Sequence, residues 1–164
     1  LIMRSVITEV NCFIEGYGNL GRAVSFKAPE LKQKSINGTT GVGDRSYATG
    51  QFESLDSEFS CAALPEAVFN ALSKLDEAEL IFKKAIRTGS KVDSYTWVLK
   101  GAISVSFGDS KPGEMLDIKV SQKGVKKYIH EINNKVKVKI DHDNLICEID
   151  GKDLMGDVRR VLRA

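Results

Sequence analysis

Period-two alternation of apolar and polar residues constrains this chain more than any other feature. Val24, Phe26 and Ala28 interleave with Ser25 and Lys27, and Leu99, Gly101, Ile103, Val105 and Phe107 interleave with Lys100, Ala102, Ser104 and Ser106. The rhythm returns in Leu116, Ile118 and Val120 against Asp117, Lys119 and Ser121, and in Val136, Val138 and Ile140 against Lys135, Lys137 and Lys139. A period of two puts one face of a strand in a core and the other in water. Antiparallel sheets are the architecture that tolerates one wet face. The expected fold is mainly β: an antiparallel sandwich or barrel with long hairpins.

Residues 97–120 read as one such hairpin, its arms flanking the turn cluster Gly108-Asp109-Ser110-Lys111-Pro112-Gly113. A shorter turn, His142-Asp143-Asn144, joins residues 135–141 to residues 145–150. One flanking helix is expected where Leu64, Val68, Ala71, Leu72 and Leu75 recur at helical spacing. Pro65 suits its first turn and Glu66 the positive end of its dipole. A second, short helix fits residues 152–162, with Leu154, Val158, Val161 and Leu162 apolar and Arg159-Arg160 near its end. Residues 1–9 read as an extended N-terminal arm. Residues 35–50 show no period. Within them Asn37, Gly38, Thr39, Thr40, Gly41, Val42, Gly43 and Asp44 include three glycines and read as a long loop. Loops of that length usually serve a function or a partner.

At 164 residues the chain suits a single domain spanning residues 1–164. No run approaches the ~18 apolar residues of a membrane-spanning helix, and Leu1-Ile2-Met3-Arg4 does not begin a signal peptide. The net charge of +2 is small for a protein that lives on phosphate neutralisation. Cys12, Cys61 and Cys147 stand singly, which argues against a disulfide framework.

Gly16-Tyr17-Gly18-Asn19-Leu20-Gly21 spells the dinucleotide-binding pattern, but that chemistry needs a helix opening at the third glycine. Residues 22–28 alternate and Pro29 follows, so a hairpin turn is expected instead. The cluster Lys119, Lys123, Lys126, Lys127, Lys135, Lys137 and Lys139, with Tyr128 and His130, could meet nucleic acid or simply be a solvated sheet face. His130 and His142 lack nearby metal-ligating partners. Asp141-His142-Asp143-Asn144 lacks the glycine and distal glutamate of a calcium loop. The reading is of no enzyme, with no catalytic residue, cofactor or metal expected.

A hairpin whose outer face carries Lys100, Ser104, Ser106, Asp117, Lys119 and Ser121 is hydrophilic, and its open edges invite pairing with another copy. Repeated head-to-tail pairing closes into a ring when the rotation permits, with the polar face lining a wet lumen.

The sequence also resembles a known family. Asn11-Cys12-Phe13-Ile14-Glu15-Gly16, Gly21, the strand from Val24 to Phe26, and Pro29-Glu30-Leu31-Lys32-Gln33-Lys34 follow the pattern of the major tail tube proteins of contractile-tailed bacteriophages, shared with R-type phage-tail-like bacteriocins. Lys100-Gly101 followed by Lys111-Pro112-Gly113-Glu114, and then Ile146-Cys147-Glu148-Ile149-Asp150, are similar to its later hairpins. The resemblance spans roughly residues 10–155, and residues 122–134 depart from it as an extra loop. It implies a structural protein of the virion tail, assembled in the host cytoplasm. Hexameric rings stack into a hollow tube inside a contractile sheath, with baseplate and tape-measure proteins as partners. DNA is only transient cargo in a polar lumen lined by the outer-face residues above, and residues 37–44 form an inter-subunit loop. Two other readings stand beside it: a small β-barrel nucleic-acid-binding module, and a ring-forming tube protein of a type VI-like secretion system.

Overall fold

The computed structural model describes residues 5–14, 18–22, 25–61, 66–109, 111–114 and 118–163. Fourteen strands are described: β1 (Ser5–Ile14), β2 (Gly18–Arg22), β3 (Ser25–Lys27), β4 (Gln33–Thr40), β5 (Gly43–Phe52), β6 (Ser57–Cys61), β7 (Glu79–Thr88), β8 (Lys91–Lys100), β9 (Ile103–Ser106), β10 (Ile118–Gln122), β11 (Lys127–Ile132), β12 (Lys135–Asp141), β13 (Ile146–Ile149) and β14 (Lys152–Asp153). Helix α1 is Glu66–Ser73, a 3-10 turn covers Leu75–Glu77, and α2 is Gly156–Arg163. The strands form an eight-stranded sheet in the order β14-β13-β12-β11-β8-β7-β1-β2, a four-stranded sheet β3-β6-β10-β9, and the isolated pair β4-β5. Each strand pairing described is antiparallel. Among the described residues no sheet closes on itself, so the architecture is a sandwich rather than a barrel.

The two larger sheets meet through aromatic rings. In the large sheet the registers Leu80↔Leu99 and Phe82↔Trp97 continue into Tyr128↔Leu99 and His130↔Trp97. In the small sheet Phe26, Phe59, Val120 and Val105 share one cross-strand row. Phe82 is fully buried. It stacks on Phe26 at 3.9 Å between centroids and meets Phe59 edge-on at 5.2 Å. Val68 and Ala71 of α1 join the same core, but Leu72 of the expected stripe is exposed, Leu75 lies exposed in the 3-10 turn past the helix end, and Leu64 lies outside the described residues.

Several sequence expectations change here. Residues 97–120 are not one hairpin, because the chain switches sheets at Gly101-Ala102. Strand β8 lies between β7 and β11 in the large sheet, whereas β9 pairs with β10 in the small one. The long hairpin is β7-β8, turning at Gly89-Ser90. Residues 35–50 are not an irregular loop: they lie within the β4-β5 hairpin, whose tip is Gly41-Val42. Of the expected N-terminal arm, residues 5–9 begin β1, with Ser5 opposite Thr88 at the end of β7; residues 1–4 lie outside the described residues. Residues 122–134 are not an extra loop, since β11 joins the β12-β13 hairpin to β8. Gly18–Arg22 is a strand antiparallel to β1, so no helix opens at Gly21 to receive a pyrophosphate.

Candidate assembly surfaces

The outer face of the small sheet is polar from edge to edge. Sheet register puts Ser25, Ser60, Lys119 and Ser106 in one row, and Lys27, Glu58, Ser121 and Ser104 in the next. The Ser25 and Ser60 hydroxyls share a hydrogen bond of 2.6 Å. The intervening positions, Phe26, Phe59, Val120 and Val105, face the core, so alternation alone makes one side of these strands wet. The face carries two lysines and one glutamate among small hydroxyls, a nearly neutral surface. Its edges are β3 and β9, both short.

Of the six residues assigned to a wet hairpin face, Ser104, Ser106, Lys119 and Ser121 therefore share this surface, joined by Ser25, Lys27, Glu58 and Ser60 from strands that sequence reasoning did not connect to it. Asp117 lies outside the described residues. Lys100 belongs to the other sheet. Its Nζ sits 2.9 Å from Glu77 Oε2, while Lys126 binds Glu77 Oε1 and lies 3.7 Å from Asp143. Hydrogen bonds from Lys126 and Lys100 hold the Glu77 carboxyl down at about 2, and both lysines are shifted upward, chiefly by their bonds to Glu77. This clasp ties the turn after α1 to the end of β8 and the segment before β11. The lysine cluster of the sequence is likewise dispersed: Lys119 is on the small sheet, Lys126 is in the clasp, and Lys137 faces Asp150 at 3.8 Å.

The second surface is the β4-β5 hairpin, whose residues are exposed except for the partly covered Gly38, Tyr47 and Phe52. Asn37, Gly38, Thr39, Thr40, Gly43 and Asp44 lie on its two strands, and Gly41 and Val42 make its tip. Local polar bonds order it. Thr39 Oγ1 donates to Asp44 (3.2 Å), Ser46 Oγ to Asn37 Oδ1 (3.1 Å) and Thr49 Oγ1 to the Lys34 carbonyl (2.8 Å). The Tyr47 ring covers Gly38 so closely that a Cβ there would stand 2.7 Å from Cε2, and Arg45 lies over the same ring at 4.4 Å. At the root a groove of about 300 Å³ is lined by Phe52 and Leu55 on one side and Ile140, Leu145, Cys147 and Met155 on the other. Burial pushes the Cys147 thiol up, so it stays protonated and unreactive at neutral pH.

An aspartate–asparagine turn closes the β12-β13 hairpin of the large sheet. Asp141 accepts from the backbone of Asp143 (3.1 Å) and Asn144 (3.2 Å) and from Asn144 Nδ2 (2.8 Å). Burial would raise its carboxyl, but these bonds keep it below the ordinary range. The cluster serves as a turn. Among the described residues no group of three or more His, Cys, Asp or Glu side chains is arranged to hold a metal.

Residues 4–162 match the family described as phage tail tube protein FII. The chain belongs to that family. It is a structural tube subunit. Solved structures of tube proteins share the fold of this tail tube family member. It superposes on a chain of the PVC sheath/tube terminator of an extracellular contractile injection system with a TM-score of 0.52 at 12% identity, covering 75% of this chain and 93% of that one. The PVC sheath-tube complex gives 0.53 at 11% identity, covering 75% and 88%. The anti-feeding prophage tube-terminating cap gives 0.53 at 11%, covering 76% and 87%. At such identities the likeness is one of fold. A comparison with curated proteins finds no match.

Proposed function

We propose that this tail tube protein forms hexameric rings that stack into a hollow tube inside a contractile sheath. The β3-β6-β10-β9 sheet of each copy then contributes one segment of the lumen wall. The observation that carries this reading is the small sheet itself: one face is buried, the other is lined by Ser25, Ser60, Ser104, Ser106, Ser121, Lys27, Lys119 and Glu58, and among the described residues neither edge strand has a further partner. Joining β9 of one copy to β3 of the next satisfies the edges and closes a ring by head-to-tail repetition. A near-neutral hydroxyl wall offers a passing polyanion few charges to hold it. DNA is transient cargo, baseplate and tape-measure proteins set the ends and length, and the virion tail is where the tube resides.

The β4-β5 hairpin reaches beyond the sandwich, and an isolated two-stranded hairpin has little stability of its own in water. In the tube it packs on a neighbouring copy. The test is electron microscopy of the concentrated protein beside a variant lacking residues 37–44. Rings or hollow tubes from the full chain, with a folded monomer from the variant, are expected. Tubes from the variant would remove the hairpin from the contact. A full chain that stays monomeric and binds DNA with a steep salt dependence would overturn the tube.

A further inference from the structure

The C-terminal helix is inside out for a segment that only has to pack on its own subunit. A surface helix normally turns its apolar stripe inward and its charges to water. In α2 the inward anchor is Arg159, whose guanidinium donates to the Leu145 carbonyl (2.8 Å) and grips Asp153. The apolar residues face solvent: Val158 is 44% exposed, Val161 72% and Leu162 66%, with Leu154 beside them at 49%. Arg160 and Arg163 border this stripe and are exposed. Arg160 pairs with Asp157 on the same helix, and Arg163 stands at the end of the stripe.

The same chain carries a second exposed apolar surface, with Lys74 and Asp76 on its rim. Helix α1 buries Val68 and Ala71 but leaves Phe69 52% exposed, Leu72 40% and, just past its end, Leu75 72%. Leu75 sits at φ 54°, a left-handed conformation that a bulky side chain adopts only under constraint. That backbone turns an exposed leucine outward with no burial within the subunit to compensate. The residue beside it is an exposed carboxylate, Asp76, while Glu77 is already held by Lys100 and Lys126.

We propose that α2 of one copy docks, apolar stripe down, onto the α1 shoulder of the neighbouring copy, seating Val158, Val161 and Leu162 on Phe69, Leu72 and Leu75 and setting Arg163 against Asp76. The contact joins two different surfaces, so it is head-to-tail and propagates through rings or stacks instead of closing a dimer. This inference rests on the tube reading and names the contact that the tube would use.

The test is pelleting of assembled tubes, with circular dichroism as the fold control. V161D/L162D is expected to keep the wild-type spectrum and lose at least tenfold in pelleted protein. D76R and R163D should each lose assembly alone, whereas a 1:1 mixture of the two, in which alternating copies set Arg163 on Asp76 and the introduced aspartate on the introduced arginine, and the D76R/R163D double variant should both recover it. L75C mixed with L162C should form an intermolecular disulfide under oxidation that neither forms alone. Tubes from V161D/L162D at the wild-type level would overturn the docking and leave the tube intact. Loss with V161D/L162D but not with D76R, and no L75C–L162C disulfide, would place the stripe on a different surface of the neighbouring copy and equally overturn it. A wild-type chain that never pellets would overturn the tube reading and the docking together.

Discussion

Gly101 is the corner at which the chain leaves the large sheet for the small one, and Gly101→Ala tests how tightly that corner is built. The residue is buried. Its N–H donates to the Ala78 carbonyl (2.9 Å) and its carbonyl accepts from Gln122 Nε2 (3.1 Å). A Cβ here would lie 3.1 Å from Val125 Cα, with Val125 Cγ1 at 3.4 Å. The nearest atom is backbone, and that backbone is pinned: Val125 N–H donates to Leu55 O (3.1 Å) and Lys126 N–H to Lys100 O (2.9 Å). Overpacking against atoms that cannot move costs roughly 1–3 kcal/mol. The lower entropy of an unfolded alanine returns about 0.4–1 kcal/mol. The net loss is about 1–2 kcal/mol, which for a chain of this size lowers Tm by roughly 2–8 °C. Urea unfolding followed by circular dichroism reads it directly as a lower midpoint at unchanged slope. Val125→Ala should not rescue the variant, because the crowded atom is Cα and remains; the two losses should accumulate. A Gly101→Ala protein as stable as wild type, or one restored by Val125→Ala, would refute the reasoning.

Other perturbations probe the core and the charged clusters. Ile103→Asp puts an unpaired charge at a position 5% exposed, and the variant should fail to fold, giving a flat thermal melt where the wild type is cooperative. His130 stacks on Trp97 at 4.5 Å, bonds the Thr96 carbonyl, and is held below its ordinary value of 6.5 by burial. The unfolded chain therefore takes up the proton first as pH falls. This contribution to stability is complete above 6.5, declines below it, and levels off once the folded state is also protonated. Thermal melts from pH 8 to pH 5 should show that decline in the wild type and a weaker one in His130→Gln. Glu77, depressed from 4.5 to about 2, stabilises the fold above 4.5 and ceases to do so as pH falls toward 2. Acid titration of Glu77→Gln should thus lack part of the wild-type loss across that window, and equal acid limbs would remove the clasp from the account.

The strands that alternate cleanly were legible because one side meets the core and the other meets water. The small-sheet face follows from Ser104, Ser106, Lys119 and Ser121 in that way. What stayed hidden was pairing, which a period of two does not encode. Lys100 keeps the rhythm of Ser104 and Ser106 yet lies in a different sheet, because the turn at Gly101-Ala102 carries the chain across without breaking it. Strand β7 escaped notice because its rhythm is spoiled on both sides. Lys84 occupies an inward position, lying over the Phe26 and Trp97 rings at 5.2 and 5.0 Å, and Ile81 faces outward. Strand β11 is blurred in the same manner by the outward Ile129 between Tyr128 and His130. The β4-β5 hairpin had no apolar face to betray it, since only Phe52 at its root packs on the core, and its order comes from hydroxyl and amide bonds that leave no periodic trace. The family resemblance supplied what periodicity could not, the tail tube family to which the chain belongs.

The strict alternation in the small sheet has an evolutionary consequence. Stability is vested in Phe26, Phe59, Val120 and Ile103, whereas Ser104, Ser106 and Lys119 on the opposite face of the same strands are exposed. Selection can therefore rewrite Ser104, Ser106 or Lys119 one at a time without renegotiating the fold, and in the proposed tube each such change would alter the channel wall. A descendant lineage, or a designer, could turn this face acidic, basic or bulky by changes that are silent in a melting curve, and if the face lines the proposed tube they would be visible only in transport.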